Sequence, residues 1–322
     1  MAKKTESKYL SADFFLDHEP EIISFCPAVD PILGGGIREG TLVTIGGPQG
    51  LGKTSYALGV GRNGQKVGRI CVYCAIEERL YEGNTSLLKA IEGLNLSDDM
   101  FKIIASQKGS ILTAEDQLQM MEDALIEFPG CILIADSLSD LSSTDDRTKK
   151  YGEGFGCSAR KLESDFCKRI APIIRVNKNI VIGIAHTTQS IGPYTATSDQ
   201  IAGRTKFKAG LMLRCKKPKK DYEIMSGDQQ VGHRISWELI KNSFGGHQPT
   251  AISHLRYGIG PDIYADIIGI ASDLNIIDSK GAGWFELKSG KKLQGFDNLY
   301  NYLRENEKEF ETIHSEVKEM IK

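Results

Sequence analysis

Gly46-Gly47-Pro48-Gln49-Gly50-Leu51-Gly52-Lys53-Thr54-Ser55 is the stretch whose reading decides the fold. Residues 47–54 satisfy G-x-x-x-x-G-K-[ST], the glycine-rich loop that cradles phosphates. Leu42-Val43-Thr44-Ile45 before it is a short apolar run with strand character, and Lys53-Thr54-Ser55-Tyr56-Ala57-Leu58 after it reads as the start of a helix. A triphosphate is best held by backbone N–H groups converging at a helix N-terminus, where the helix dipole also opposes the negative charge. Glycines let the backbone approach closely and take up positive φ. Lys53 is then expected to reach the β- and γ-phosphates of ATP and Thr54 to ligate Mg²⁺, with Gly47, Pro48, Gln49, Gly50, Leu51, Gly52 and Ser55 completing the cradle. The plain alternative is a strand-to-helix turn with an exposed lysine.

Outward from this loop, short apolar runs alternate with longer amphipathic ones: 69–75 then 84–93, 101–105 then 114–128, 131–136 then 156–176, and 179–185. That alternation predicts an α/β domain with a mostly parallel twisted sheet. From about 211 the strand candidates, 211–216, 233–240 and 250–256, lack long helices between them and are expected to extend the sheet with hairpins. We divide the chain into an arm (1–25) expected to dock or oligomerise, a core (26–257), and a small C-terminal α+β domain (258–322) ending in one charged helix over about 296–321.

The 322 residues suffice for a sizeable core, and a net charge of −2 excludes a globally basic nucleic-acid coat protein while leaving local basic patches open. Seven scattered cysteines, several within strand-like runs, suggest reduced core thiols, and the lone Cys71-x-x-Cys74 has no second pair to complete a zinc site. No leader-like apolar segment opens the chain, and no run of about 18 apolar residues occurs, so a cytoplasmic protein without a membrane partner is expected.

Cys131-Ile132-Leu133-Ile134-Ala135-Asp136 is an apolar strand ending in an acid, so Asp136 is a candidate metal residue beside the loop. Glu77 and Glu78 follow a strand directly and are candidate general bases, Glu77 ahead of Glu78; both also suit a solvated helix start. His186, after strand 179–185, is either a γ-phosphate sensor or a satisfied structural histidine. Two segments combine basic residues, glycines and, in the first, aromatics. In 145–157, Arg147, Lys149, Lys150, Tyr151 and Phe155 suit a single-stranded nucleic acid; in the long polar loop expected at 187–208, Arg204, Lys206 and Lys208 do. Lys216-Lys217-Pro218-Lys219-Lys220 reads as a basic or merely solvated hairpin tip.

In this order the landmarks resemble the RecA family of recombination ATPases, most closely its phage-encoded, UvsX-type members. Asp30-Pro31-Ile32-Leu33-Gly34-Gly35-Gly36-Ile37 precedes the loop, then come Ala135-Asp136-Ser137-Leu138 and Ile184-Ala185-His186-Thr187. The tail follows with Leu255-Arg256-Tyr257-Gly258-Ile259-Gly260, Gly281-Ala282-Gly283-Trp284-Phe285 and Gly290-Lys291-Lys292-Leu293-Gln294-Gly295. The resemblance implies a RecA-like ATPase core and a helical filament on single-stranded DNA that pairs with homologous duplex DNA. It further implies ATP between subunits, with Lys241 reaching the neighbour's ATP and Tyr257 covering its adenine, and it suggests a single-strand-binding protein and a loader as partners. The chain departs from the family's pattern where Ser243 replaces a second bridging lysine and His186 a glutamine, and where the Glu77-Glu78 pair falls later. A ring helicase with the same core, which is not expected to carry the tail, and a regulatory ATPase of clock or mediator type are the alternative readings.

Overall fold

The computed structural model describes residue 16 and residues 19–80, 83–150, 158–189, 197–245, 250–281 and 283–321. In chain order come β1 (Ile22–Ile23), α1 (Asp30–Leu33), β2 (Ile37–Arg38), β3 (Thr41–Gly47), α2 (Lys53–Gln65), β4 (Cys71–Ala75), α3 (Ser86–Lys89) and β5 (Phe101–Ile104). Next are α4 (Ala114–Glu127), β6 (Ile132–Asp136), α5 (Thr144–Thr148), α6 (Ser158–Val176), β7 (Ile180–Gln189), β8 (Thr197–Asp199), α7 (Gly203–Lys208) and β9 (Leu211–Lys216). The antiparallel strands β10 (Glu223–Ser226), β11 (Gln229–Asn242), β12 (Thr250–Arg256) and β13 (Gly260–Pro261) follow. The chain ends with α8 (Ile263–Asp273), β14 (Asp278–Lys280), β15 (Trp284–Glu286), β16 (Lys292–Gln294), α9 (Phe296–Glu305) and α10 (Glu307–Met320).

The large sheet runs β13-β12-β11-β9-β3-β7-β6-β4-β5, with β10 paired to β11 and β8 folded back on β7. Strands β9, β3, β7, β6, β4 and β5 are parallel, whereas β11, β12 and β13 continue it antiparallel. Both faces of the parallel part are covered, which is why its strands are apolar throughout. Along β3, Val43 and Ile45 enter the core beneath α2, while Leu42 enters the one beneath α4 and α6. Phe25, Tyr56 and Trp237 interlock at ring-centroid separations of 4.9–5.4 Å. The Tyr56 hydroxyl lies 2.6 Å from Ser253 Oγ, which also accepts the Trp237 indole N–H at 2.7 Å, fastening the helix after the phosphate loop to the antiparallel strands.

A third apolar cluster gathers α8, α9 and α10 in the small C-terminal unit, beside the three-stranded sheet β14-β15-β16. The mixed α/β architecture with a large, mostly parallel sheet and a small C-terminal unit agrees with the sequence reading. Among the described residues no helix is long and apolar enough to cross a membrane. Cys71 and Cys74 are free, buried thiols on β4, and burial pushes Cys74 up to about 12.

Four local expectations change. The charged helix over 296–321 is two helices, because Asn306 takes up φ −118°, ψ 68°. A continuous helix would drive that polar side chain into the seam formed by Leu299, Leu303, Phe310, Ile313 and Val317. The described part of 187–208 is not an irregular loop: β7 extends to Gln189, β8 pairs back onto it, and α7 closes the segment. The helix expected over 84–93 shrinks to Ser86–Lys89. Lys216–Lys220 is not a hairpin tip either: the β10–β11 turn falls at Gly227, whose φ of 58° supplies the reversal, and the ammonium of Lys217 lies 4.0 Å from the Tyr222 ring centroid.

Asp30 joins the core's entry segment. Its carboxyl accepts from Ser24 Oγ at 2.5 Å and from the Phe25 N–H at 2.7 Å, and burial, with Asp266 of α8 nearby, pushes it up to about 7. A carboxyl raised in this way contributes stability that is full below pH 4 and is lost as pH rises through about 7. In Asp30→Asn that pH dependence should vanish at this position. The wild type is expected to lose ground to the variant between pH 4 and 8 by up to about 4 kcal/mol, read from urea midpoints. A gap that does not change with pH would contradict the assignment.

Candidate functional site

The loop 47–52 leaves the carboxyl end of β3, and α2 begins at Lys53. Two of its glycines are sterically required. Gly47 (φ 152°) has Cys215 Sγ 2.2 Å from where a Cβ would stand, and Gly52 (φ 83°) has Leu255 Cδ1 at 2.3 Å. Pro48, Gln49 and Gly50 are exposed, whereas Lys53 and Thr54 are buried. The Lys53 ammonium donates to the carbonyls of Gly47 (2.9 Å) and Pro48 (2.8 Å), so it bridges the loop from within. Burial lowers its pKa, and an anion in the loop would offset that burial.

Thr54 Oγ1 donates to Asp136 Oδ2 at 2.8 Å, and Tyr73 from β4 donates its hydroxyl to the same oxygen at 2.7 Å. Asp136 Oδ1 is buried with no partner among the described residues. A hydroxyl and a carboxyl oxygen lacking a donor, side by side beneath a phosphate loop, suit a hard oxygen-seeking cation such as Mg²⁺.

Glu77 and Glu78 point to different places. The His186 ring and Glu77 share a hydrogen bond (Nε2–Oε1 2.8 Å), and Arg79 pairs with the other Glu77 oxygen. Asp140 Oδ2 lies 3.3 Å from His186 Nε2, which makes Glu77, Asp140 and His186 one cluster. Glu78, at φ 55°, instead accepts from Ser106 Oγ at 2.7 Å. The His186 N–H donates to Ser139 Oγ at 2.8 Å.

Both basic segments leave the carboxyl ends of adjacent parallel strands, β6 and β7, on the edge of the sheet that carries the phosphate loop. Arg147 and Lys150 are exposed, and Lys149 lies 3.5 Å from Asp146. Tyr151 and Phe155 lie outside the described residues, as do 190–196. Arg204, Lys206 and Lys208 sit on α7 rather than on a loop. That helix leads away from this edge, so Lys208 ends in a cleft of about 440 Å³ lined also by Thr41, Phe244 and Lys241.

The structure separates Lys241 from its own chain's loop. Through β9, Lys241 is level with Thr44, and its ammonium donates to Phe207 O at 2.7 Å in the cleft where β3 begins. The seven residues of β3 span about 20 Å from that end to the phosphate loop. Tyr257 behaves oppositely. It follows Leu255, which packs on Gly52, and its hydroxyl lies 3.4 Å from His233, whose ring faces the Leu51 backbone. Tyr257 thus stands beside its own loop, where the resemblance implied a reach toward the neighbour's nucleotide.

Sequence reasoning missed Tyr73, Asp140, Asp199 and Arg214. Asp199 pairs with Arg214 (3.3 Å) over Gly46, where a Cβ would lie 2.3 Å from Asp199 Oδ1. No local pattern marks these residues, because only the strand order brings them together.

Comparison with known proteins bears on the whole chain. The RecA N-terminal domain model matches residues 21–261, and the RecA C-terminal domain model matches 265–322. The protein named RecA from Sulfurovum sp. (strain NBC37-1) is 25% identical over 297 residues, 91% of this chain and 81% of that protein. Its counterpart from Geobacter metallireducens is 27% identical over 300 residues, 92% and 84%. The one from Bordetella avium is 27% identical over 296 residues, 90% and 79%.

Replacing the bridging ammonium tests the cradle directly. Lys53→Ala should keep its far-ultraviolet circular dichroism while losing about tenfold or more in affinity for a fluorescent adenosine triphosphate analogue. Unchanged affinity in the folded variant would remove Lys53 from the nucleotide site.

Proposed function

Because this chain belongs to the RecA family, and so is a RecA-type recombinase and DNA-dependent ATPase, we propose that it polymerises on single-stranded DNA and promotes homologous pairing and strand exchange. The observation that carries this reading is the division of the candidate site between two ends of the sheet. The phosphate loop opens at one end, and the Lys241 ammonium turns toward the other, into the cleft lined by Thr41. Lys241 therefore serves the nucleotide of a neighbouring protomer, and nucleotide occupancy ties protomers together.

Gly47–Ser55 hold ATP, and Thr54 with Asp136 holds Mg²⁺. Bound there, ATP supplies the γ-phosphoryl group and Mg²⁺ neutralises its charge. Glu77 orients and deprotonates the attacking water, favoured over Glu78 because only Glu77 faces His186. His186 reports the presence of the γ-phosphate to Glu77, and Tyr257 flanks the base of the nucleotide in its own protomer. Arg147, Lys149, Lys150, Arg204 and Lys206 meet the DNA backbone, with Tyr151 and Phe155 against bases. Lys208, which lies with Lys241, belongs to the protomer contact instead.

The form is that of a phage-encoded, UvsX-type recombinase, a reading supported by the His186-Thr187 pair where bacterial members carry glutamine. It acts in the bacterial cytoplasm, including that of an infected host, alongside a single-strand-binding protein and a loader. The assembly arm, expected over 1–25, ends before residue 21, since Phe25 packs in the core, and the ATPase core, expected over 26–257, runs on through β13 of the large sheet, leaving 262–322 as the accessory domain. The ring-helicase and regulatory readings are disfavoured by the RecA C-terminal match over the tail.

Negative-stain imaging with single-stranded DNA and a slowly hydrolysed ATP analogue should show long helical filaments; closed rings or dispersed protomers would overturn the proposal. Replacing Arg204 and Lys206 together with alanine should weaken single-stranded DNA binding. It should also flatten its logarithmic salt slope by about 1, at roughly 0.7 for each phosphate that is no longer neutralised. An unaltered slope would take α7 out of the DNA interface.

A further inference from the structure

Glu163 on α6 has no place in the proposed chemistry, yet it is 2% exposed and sits between the two basic segments. Both of its carboxyl oxygens lie 2.9 Å from the Ala202 N–H, and the Thr205 hydroxyl donates to Oε1 at 2.5 Å. Thr205 is itself fully buried and lies 3.2 Å from Cys167 Sγ, one helical turn beyond Glu163 on the same face of α6. Arg160 adds a longer contact from its guanidinium to Ile201 O, at 3.4 Å. Three residues of α6 therefore grip 201–205, the start of α7.

A carboxylate suits this place for a physical reason. It only accepts hydrogen bonds, and everything facing it here is a donor: one backbone N–H and one hydroxyl. Burial raises its pKa, and the donors from Thr205 and Ala202 oppose that shift. A buried carboxyl is tolerated where such donors satisfy it.

The far end of α6 gives the grip its consequence. The helix begins at Ser158, immediately after the first segment, and Ser158 Oγ is 2.6 Å from Ser143 Oγ and 3.1 Å from Asp146 Oδ2. Those contacts hold Ser158 against Ser143 and Asp146, which lie on either side of the first segment's basic residues in the chain. From Ser158 to Glu163 the helix rises about 8 Å. The first segment is thus anchored at one end of a short rigid rod, and the second is clamped about a turn and a half along it.

We propose that Glu163 is a positioning residue that sets the spacing between the two DNA-contacting segments, so that both engage one strand of single-stranded DNA together. This rests on the reading of those segments as the DNA face. Neither Glu163 nor Thr205 touches the phosphate loop, so loss of the clamp acts on DNA engagement and not on DNA-free turnover.

The test measures ATP hydrolysis by the full chain without DNA and across a titration of oligothymidylate. Glu163→Ala should keep DNA-free turnover within about twofold of wild type while raising the half-saturating oligothymidylate concentration about tenfold, the size expected for loss of a hydrogen-bonded buried carboxyl. Glu163→Gln, whose amide oxygen still accepts, should recover part of that loss. Thr205→Val should act in the same direction, and combining it with Glu163→Ala should add little, as for partners in one contact. Should Glu163→Ala fail to fold, Thr205→Val and Glu163→Gln carry the comparison. Unchanged half-saturation in Glu163→Ala and Thr205→Val, or a parallel loss of DNA-free turnover, would overturn the proposal. If the double alanine variant of Arg204 and Lys206 weakens DNA binding while the Glu163 and Thr205 variants do not, only the clamp is wrong. If the double variant binds DNA normally, the reading of α7 as DNA face falls, and the clamp with it.

Discussion

Asp136 Oδ2 receives two hydroxyls, Thr54 from the first turn of α2 and Tyr73 from the neighbouring strand β4. That shared acceptor fixes the phosphate loop against the carboxyl edge of the sheet. It works only because β6 and β4 are adjacent and parallel, in register at Ala75 and Asp136. Two strands ending at one level present Glu77 and Asp136 on the same side, and β7 beside them adds His186. The strand order thus comes before the chemistry: any other order would scatter these groups, since each lies just beyond a different strand.

The same constraint explains why the other Asp136 oxygen stays unpartnered. Tyr73 and Thr54 occupy Oδ2, leaving Oδ1 buried without a donor among the described residues. An unsatisfied buried oxygen is costly unless a ligand completes it. The neighbouring ammonium of Lys53 does not fill that role, being occupied by the carbonyls of Gly47 and Pro48. Stability is therefore withheld at the point where a cation would restore it.

How much of this was legible in the sequence follows from the range of the forces involved. The phosphate loop, the apolar strands of the parallel sheet and the long helices α4 and α6 are written in local spacing, because each is decided by periodicity or by glycine's backbone freedom. Residues 187–208 misled because β8 is three residues long and α7 six, too short for either periodicity to register. The break at Asn306 was hidden by apolar spacing that continues in phase across it from Leu303 to Phe310. Tyr73, Asp140, Asp199 and Arg214 owe their places to pairing between distant strands, which no local pattern encodes. Lys241 is a clearer case still. Its residue type was noticed through a resemblance, but its placement depends on a register shift in β11 between Leu239 and Lys241.

That placement bears on how copies of the chain meet. The phosphate loop at the carboxyl edge and the Lys241 ammonium, turned into the cleft where β3 begins, do not meet within one protomer, because the sheet between them is rigid and both its faces are packed. A contact using both surfaces joins unlike patches, which makes it heterologous, and such a contact repeats head to tail until it closes into a ring or continues as a helix. In the isolated chain the Lys241 ammonium is occupied by Lys206 O and Phe207 O at the carboxyl end of α7. In the proposed assembly, a neighbour's nucleotide would compete with those carbonyls for the charge. If it wins, α7 loses its C-terminal cap, and the helix whose first turn Glu163 clamps is the element that feels the neighbour's triphosphate first.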